Sequence, residues 1–162
     1  MADYTLISVP PGIERERFLP LLLLADESLQ QVRSYMQRGE LYAFVGADEV
    51  AVGIVLTIPA AQGGVELVSV AVDTTQQNRG IGRRMIEWLI ETAQTAGVIS
   101  IHVEMRAANK AAYALYRSME FAETLRLERY YRGRETAIRM MRLLRPPGLT
   151  AEGWTPPPLR RR

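Results

Sequence analysis

Residues Gln76 to Trp88 read QQNRGIGRRMIEW, and the fold turns on how this stretch is read. Its second half has the spacing of an amphipathic helix, yet Gly80 and Gly82 stand where that helix would start. Glycine costs about 1 kcal/mol relative to alanine inside a helix, so the pair implies that something approaches the backbone closely. Arg79, Arg83 and Arg84 flank it. With the unpaired N–H groups of a first helical turn and the positive end of the helix dipole, these residues form an anion site whose candidate occupant is a phosphate. A plain tight turn fits the same glycines. Neither a P-loop nor a dinucleotide fingerprint fits, because no Gly-Lys-Ser/Thr follows and the third glycine is missing.

Working outward, Val65 to Val72 reads as the strand before the glycines. Met85, Ile86, Leu89, Ile90 and Ala93 recur at helical spacing behind them, and Gly97 closes that helix. Val98 to Met105 is the next strand, reached by a helical crossover and therefore expected to run parallel to the previous one. Upstream, Tyr4 to Ser8 reads as a strand and Glu14 to Leu24 as a helix, with Leu21 to Ala25 as its buried patch. Ser28 with Gln31 makes a capping box for a second helix that Gly39 ends. Leu41 to Val45 and Val50 to Ile58 form a hairpin around Gly46-Ala47-Asp48-Glu49. Downstream, Asn109 to Met119 is helical, and Phe121 to Tyr131 and Thr136 to Leu144 are two last strands joined near Arg132-Gly133. This order predicts an α/β fold with a mixed sheet, antiparallel early and parallel in the middle.

A chain of 162 residues suits one domain with a full core. That domain is expected over residues 1–145, followed by a Pro/Arg-rich tail over 146–162 in which Pro156 to Pro158 exclude helix and sheet ladders. Hydrophobic residues make up 48% and charged residues 23%, with no apolar run long enough to span a bilayer, so no membrane partner is expected. The N-terminus lacks the pattern of a secretory signal and no cysteine is present, so a cytoplasmic protein without thiol chemistry is expected. The net charge of +2 is smaller than the contribution of Arg160, Arg161 and Arg162, which argues against nucleic acid as a partner.

Gln77-Asn78-Arg79-Gly80-Ile81-Gly82 resembles the Q/R-x-x-G-x-G/A element of the Gcn5-related N-acetyltransferases (GNAT). A second element stands where that family places it, Val103-Glu104-Met105-Arg106-Ala107-Ala108-Asn109 followed by Ala114-Leu115-Tyr116. The combination is more specific than either half, and the resemblance runs from Tyr4 to Leu144. It implies a mixed, mostly antiparallel central sheet with splayed parallel middle strands and flanking helices. It also implies that acetyl-CoA is the co-substrate, its pyrophosphate bound at Asn78, Arg79, Gly80, Gly82 and Arg83. The pantetheine arm would lie between the splayed strands near Val70 and Val72.

Acetyl transfer to an amine needs a base for the attacking ammonium and an acid for the departing thiolate. Asn109 and Tyr116 are seven residues apart, two helical turns or about 10 Å, and are expected to share a face. Asn109 can then hold the cofactor arm while Tyr116 serves as acid; Tyr113, one turn earlier, is the competing choice. Glu104, at the end of a strand whose Ser100 and His102 share its face and whose Ile99 to Met105 alternate onto the other, is the candidate base, with Glu66 as the alternative and a salt-bridged strand-end glutamate as the bland reading. His102 is the one histidine and is given a core or surface role; no metal ligands stand at a convincing spacing. Arg126, Arg129, Arg132 and Arg134 read as a solvated strand edge.

Within the family, VEMRAANKAAYALYRSMEF and ERYYRGRETAIRMMRL are similar to bacterial enzymes that acetylate the N-terminal amine of a ribosomal protein, in which the tyrosines matching Tyr130 and Tyr131 lie near the peptide groove. LLLLADESLQQVRSYMQRGELYAFV, by contrast, looks like small acetyltransferases of unassigned acceptor. Glu120 replaces the family's usual glycine before Phe121, which predicts a changed turn. The expected function is acetyl-CoA-dependent N-acetyl transfer to a primary amine, of a peptide N-terminus or a small molecule. The rival from another class is a non-catalytic acyl-CoA sensor. The resemblance leaves a homodimer open.

Overall fold

A computed structural model of the chain describes residues 3–149 and 151–154; Pro156 to Pro158 and Arg160 to Arg162 of the expected tail lie outside the described residues. The elements are β1 (Thr5–Val9), α1 (Leu19–Ala25), α2 (Leu29–Tyr35), β2 (Glu40–Val45), β3 (Ala51–Pro59), β4 (Val65–Val72), α3 (Ile81–Thr95), β5 (Ser100–Arg106), α4 (Lys110–Ser118), β6 (Ala122–Tyr131) and β7 (Glu135–Leu143). Their order is the expected one, and β4 has the expected bounds. The strands make a mostly antiparallel sheet with one parallel pair and flanking helices. Two compact units share the chain, Met1–Ile58 with Leu67–Ile86 and Pro59–Glu66 with Glu87–Arg162, so the division passes through β4 and α3.

In the first unit, β1 pairs antiparallel with β2, placing Thr5 opposite Val45, and β2 with β3, placing Glu40 opposite Thr57. Phe18, Leu22, Val32, Met36, Leu41 and Ile54 form the core between these strands and the two short helices. The predicted helix over Glu14 to Leu24 is two elements. A 3-10 helix covers Ile13–Phe18, and α1 starts at Leu19 because Pro20, which lacks an N–H and has a fixed φ, suits a first turn and no other. Leu21 and Leu22 are buried as expected, whereas Leu24 is exposed. Ser28 caps α2 by accepting from the Gln31 N–H.

The 3-10 helix serves one residue above all. Arg15 is 1% exposed, and its guanidinium donates to the carbonyls of Val9 (3.0 Å), Met36 (2.9 Å), Arg38 (3.0 Å) and Gly39 (2.9 Å). These are chain ends at β1, α2 and β2, and a planar fork of five N–H donors satisfies all of them at once.

In the second unit β5 pairs antiparallel with β7, and β7 with β6. Between Leu127, opposite Ala137, and Tyr131, opposite Glu135, β6 advances four residues while β7 advances two, which is a bulge. The hairpin closes by a hydrogen bond from the Arg134 N–H to the Tyr131 carbonyl (3.0 Å). Arg132 (φ 50°) and Gly133 (φ 65°) both take the left-handed conformation that a two-residue turn of this hand requires. Ile99, expected to lie within β5, precedes it and is exposed.

A changed turn is expected at Glu120, where the family usually has glycine. The glutamate adopts the left-handed backbone itself (φ 66°), and Arg142 secures it by donating to the Met119 carbonyl (2.7 Å) and pairing with the Glu120 carboxylate (3.1 Å). Beyond β7, Arg145, Pro146 and Pro147 line a groove of about 510 Å³ with Glu91, Gln94 and Thr95 of α3, so the tail begins against the body.

Replacing Arg15 by methionine leaves four carbonyls without their donor, and an unmade hydrogen bond to a buried group costs about 1 to 3 kcal/mol. Arg15→Met is expected to destabilise the chain by at least about 3 kcal/mol in urea denaturation, with Arg15→Lys recovering only part.

Candidate active site

The loop from β4 to α3 is shaped by its own short bonds. Asp73 accepts from the Thr75 N–H (2.9 Å) and hydroxyl (2.6 Å), bonds that hold its carboxyl below the usual range. The Gln77 side chain donates to the Val72 carbonyl (3.1 Å) and Arg79 to the Gln76 side chain (3.3 Å). Asn78 (φ 62°) and Gly80 (φ 77°) are both left-handed, a conformation asparagine tolerates and glycine favours. The first helical bond of α3 runs from the Arg84 N–H to the Gly80 carbonyl (3.1 Å), so the N–H groups of Ile81, Gly82 and Arg83 precede the helical ladder.

The two glycines have different reasons. Backbone conformation explains Gly80. At Gly82 a Cβ would meet only the Val72 side chain, at 3.8 Å, an ordinary contact. Nothing inside the protein therefore requires glycine there, and the space in front of both glycines is open. That opening fits a pyrophosphate resting on the backbone. Val70 and Val72 alternate along β4 with buried Ser69 and Ala71 and are themselves half-buried.

A second constellation lies on the other unit. Glu104 of β5 stands directly opposite Arg139 of β7. Its carboxylate accepts from Arg139 Nε (2.7 Å) on one oxygen and from the Tyr131 hydroxyl (3.2 Å) on the other. The Glu104 side chain is 21% exposed. Burial and the adjacent Glu104 charge push the Tyr131 hydroxyl up, so it stays a donor. Arg106 sits over the Tyr131 ring at 5.2 Å and pairs with Glu135 (3.3 Å). The expected salt-bridged glutamate is thus present, with a tyrosine added. Arg139 was not singled out in the sequence, because its meeting with Glu104 depends on the β5–β7 register.

Tyr116 is 4% exposed and packs edge-on against Phe121, ring centroids 5.2 Å apart. Burial raises its pKa, which keeps the phenol protonated. Asn109, expected to share a helical face with Tyr116, precedes the helix proper. It is the N-cap of α4, exposed, and its side-chain oxygen accepts from the Ala112 N–H (3.1 Å), leaving its amide NH₂ group to donate outward. Tyr113, the competing acid, donates to Glu123 (3.1 Å), which also binds Arg126. His102 shares a hydrogen bond of 2.9 Å with the Ser100 hydroxyl. Its pKa is lowered by burial, opposed by the Glu66 charge. Among the described residues no three His, Asp or Glu side chains are grouped to hold a metal, and no helix is long and apolar enough to cross a membrane.

The profile of the acetyltransferase (GNAT) family matches residues 13–121. A ribosomal protein bS18-alanine N-acetyltransferase from Salmonella typhimurium is 44% identical over 77 residues, 46% of this chain and 52% of the relative. The chain spans about half the length of the curated relatives it matches. The solved ribosomal-protein-S18-alanine N-acetyltransferase from Escherichia coli superposes with a TM-score of 0.73 at 25% identity, over 90% of this chain and 99% of that one. A Bacillus subtilis acetyltransferase solved in complex with CoA superposes with a TM-score of 0.79 at 21% identity, over 88% of this chain and 99% of that one, and shares its fold.

Because Gly82 meets no obstacle, Gly82→Ala is expected to stabilise the free chain, by up to about 1 kcal/mol in chemical denaturation. The same methyl group obstructs the open cradle, so calorimetry should find CoA binding weakened in this more stable variant.

Proposed function

Because the chain belongs to the acetyltransferase (GNAT) family, we propose that it is an acetyl-CoA-dependent N-acetyltransferase that moves the acetyl group directly to a primary amine. The observation that carries the reading is the pair of proton-handling groups on β5 and α4. One is a carboxylate aimed by Arg139 and Tyr131; the other is a buried phenol kept protonated.

Acetyl-CoA supplies the activated acetyl thioester. Asn78, Arg79, Gly80, Gly82 and Arg83 would hold its pyrophosphate, Val70 and Val72 would flank its arm, and Asn109, whose NH₂ is left to donate, would be a further cofactor-binding residue. Glu104 takes the proton of the attacking ammonium. Each of its oxygens has accepted one bond and keeps a lone pair for the amine. Tyr116 gives its proton to the departing sulfur. The residues 1–145 are the catalytic domain in this reading, with 146–162 as a tail.

The acceptor follows from how little Glu104 is asked to do. A peptide α-amine, with a pKa of about 7.7 to 8.0, is partly neutral near pH 7, whereas an alkyl amine near 10.4 is almost fully protonated. A carboxylate already paired with an arginine attracts a polycation weakly. Both considerations favour a peptide or protein N-terminus over a polyamine.

The test is thiol release from acetyl-CoA against N-terminal peptides, polyamines, aminoglycosides and amino acids. Turnover of the peptide class is expected. Tyr116→Phe should lower kcat by about 10²-fold or more, within the range for general acid–base catalysis, without weakening CoA binding. A general acid must be protonated to act, and burial raises this phenol above its ordinary value of 10.0, so wild-type kcat should show no alkaline fall at or below pH 10. CoA binding without turnover of any acceptor would instead support the acyl-CoA sensor.

A further inference from the structure

The hairpin that supplies Tyr131 and Arg139 is markedly basic: from Ala122 to Leu143 it holds six arginines against three glutamates. Ion pairs engage Arg126 with Glu123, Arg139 with Glu104 and Arg142 with Glu120, while Arg106 takes Glu135. Arg129 and Arg134 are exposed, and their side chains have no partner among the described residues.

Arg129 is also conformationally anomalous. It lies in the β6 bulge with φ 54°, a left-handed backbone that residues other than glycine, asparagine and aspartate seldom adopt. Among the described residues no side-chain hydrogen bond or ion pair compensates that choice of residue, and such outliers gather at functional sites. The bulge sends its neighbour Tyr130 outward, 47% exposed. Tyr130 packs edge-on against Tyr131, 5.2 Å between centroids, and Tyr131 bonds to the Glu104 carboxylate. Tyr130 thus connects the tyrosine that bonds the proposed base with Arg129, its neighbour in the chain, and Arg134 lies in the turn of the same hairpin.

We infer that the acceptor is a peptide carrying carboxylate side chains within its first few residues, and that Arg129 and Arg134 are the specificity-determining residues that hold them, with Tyr130 packing against the peptide between. The inference rests on the N-acetyltransferase reading and deepens it. An acidic segment leaving Glu104 meets Arg129 and Arg134, whereas a basic segment meets like charge there.

Three peptides that differ only at positions 2 to 4, carrying glutamate, glutamine or lysine, test this with acetyl-CoA, thiol release and mass spectrometry of the product. The expected order of kcat/KM is acidic, neutral, basic. The acidic peptide should exceed the neutral one by roughly three- to tenfold at low ionic strength, the scale of two exposed ion pairs, and the advantage should shrink as salt is added. In the double variant Arg129→Gly with Arg134→Ala, glycine suits the left-handed backbone and the hairpin keeps its fold. The acidic-to-neutral ratio should then fall toward one. Retention of that ratio in the double variant overturns the inference, as does wild-type preference for the lysine peptide, and either leaves acetyl transfer intact. Absence of turnover for all three peptides, with CoA still bound, overturns peptide acetylation and the inference together.

Discussion

A single carboxylate organises the second unit. Glu104 is engaged by Arg139 across the β5–β7 ladder and by Tyr131 from the bulged strand β6. Without the arginine, a largely covered carboxylate would carry an uncompensated desolvation cost, and without the tyrosine one of its oxygens would lose a directed partner. The same two bonds set the orientation of the hairpin side chains. Tyr131 turns inward beneath Arg106, and its neighbour Tyr130 is half-exposed beside Arg139.

Arg15 has the corresponding place in the first unit, but with backbone carbonyls instead of a counter-ion. The 3-10 helix that carries it fixes the ends of β1, α2 and β2 relative to one another. Nearby in sequence to none of these features, the loop after β4 is held by side-chain bonds from Asp73, Gln77 and Arg79, which keep the two glycines in front of open space.

Elements governed by local chemistry were legible in the sequence. The Ser28 cap, the alternation of β4, the apolar stripe of α3 and the Arg132-Gly133 turn each rest on a few neighbouring residues. What depended on distant partners was not. Arg15 reads as an ordinary helical arginine until the carbonyls of Met36, Arg38 and Gly39 are brought to it. The extra residues in the β6 bulge become visible only once register with β7 is known, and so does the pairing of Glu104 with Arg139. Asn109 is different: a side-chain oxygen just before a helix is a standard N-cap signal, and assigning it a cofactor role hid the local one. At Glu120 the sequence marked the position correctly, but the backbone keeps the glycine-like conformation through the grip of Arg142.

Direct transfer of an acetyl group to a peptide α-amine is tested most directly by intact-mass spectrometry of a single reaction, following the peptide, the CoA released and the chain itself over time. One acetyl group should appear on the peptide N-terminus for each CoA released, while the mass of the chain stays unchanged. CoA release without a modified amine, or an acetyl group that accumulates on the chain before reaching the peptide, would contradict it.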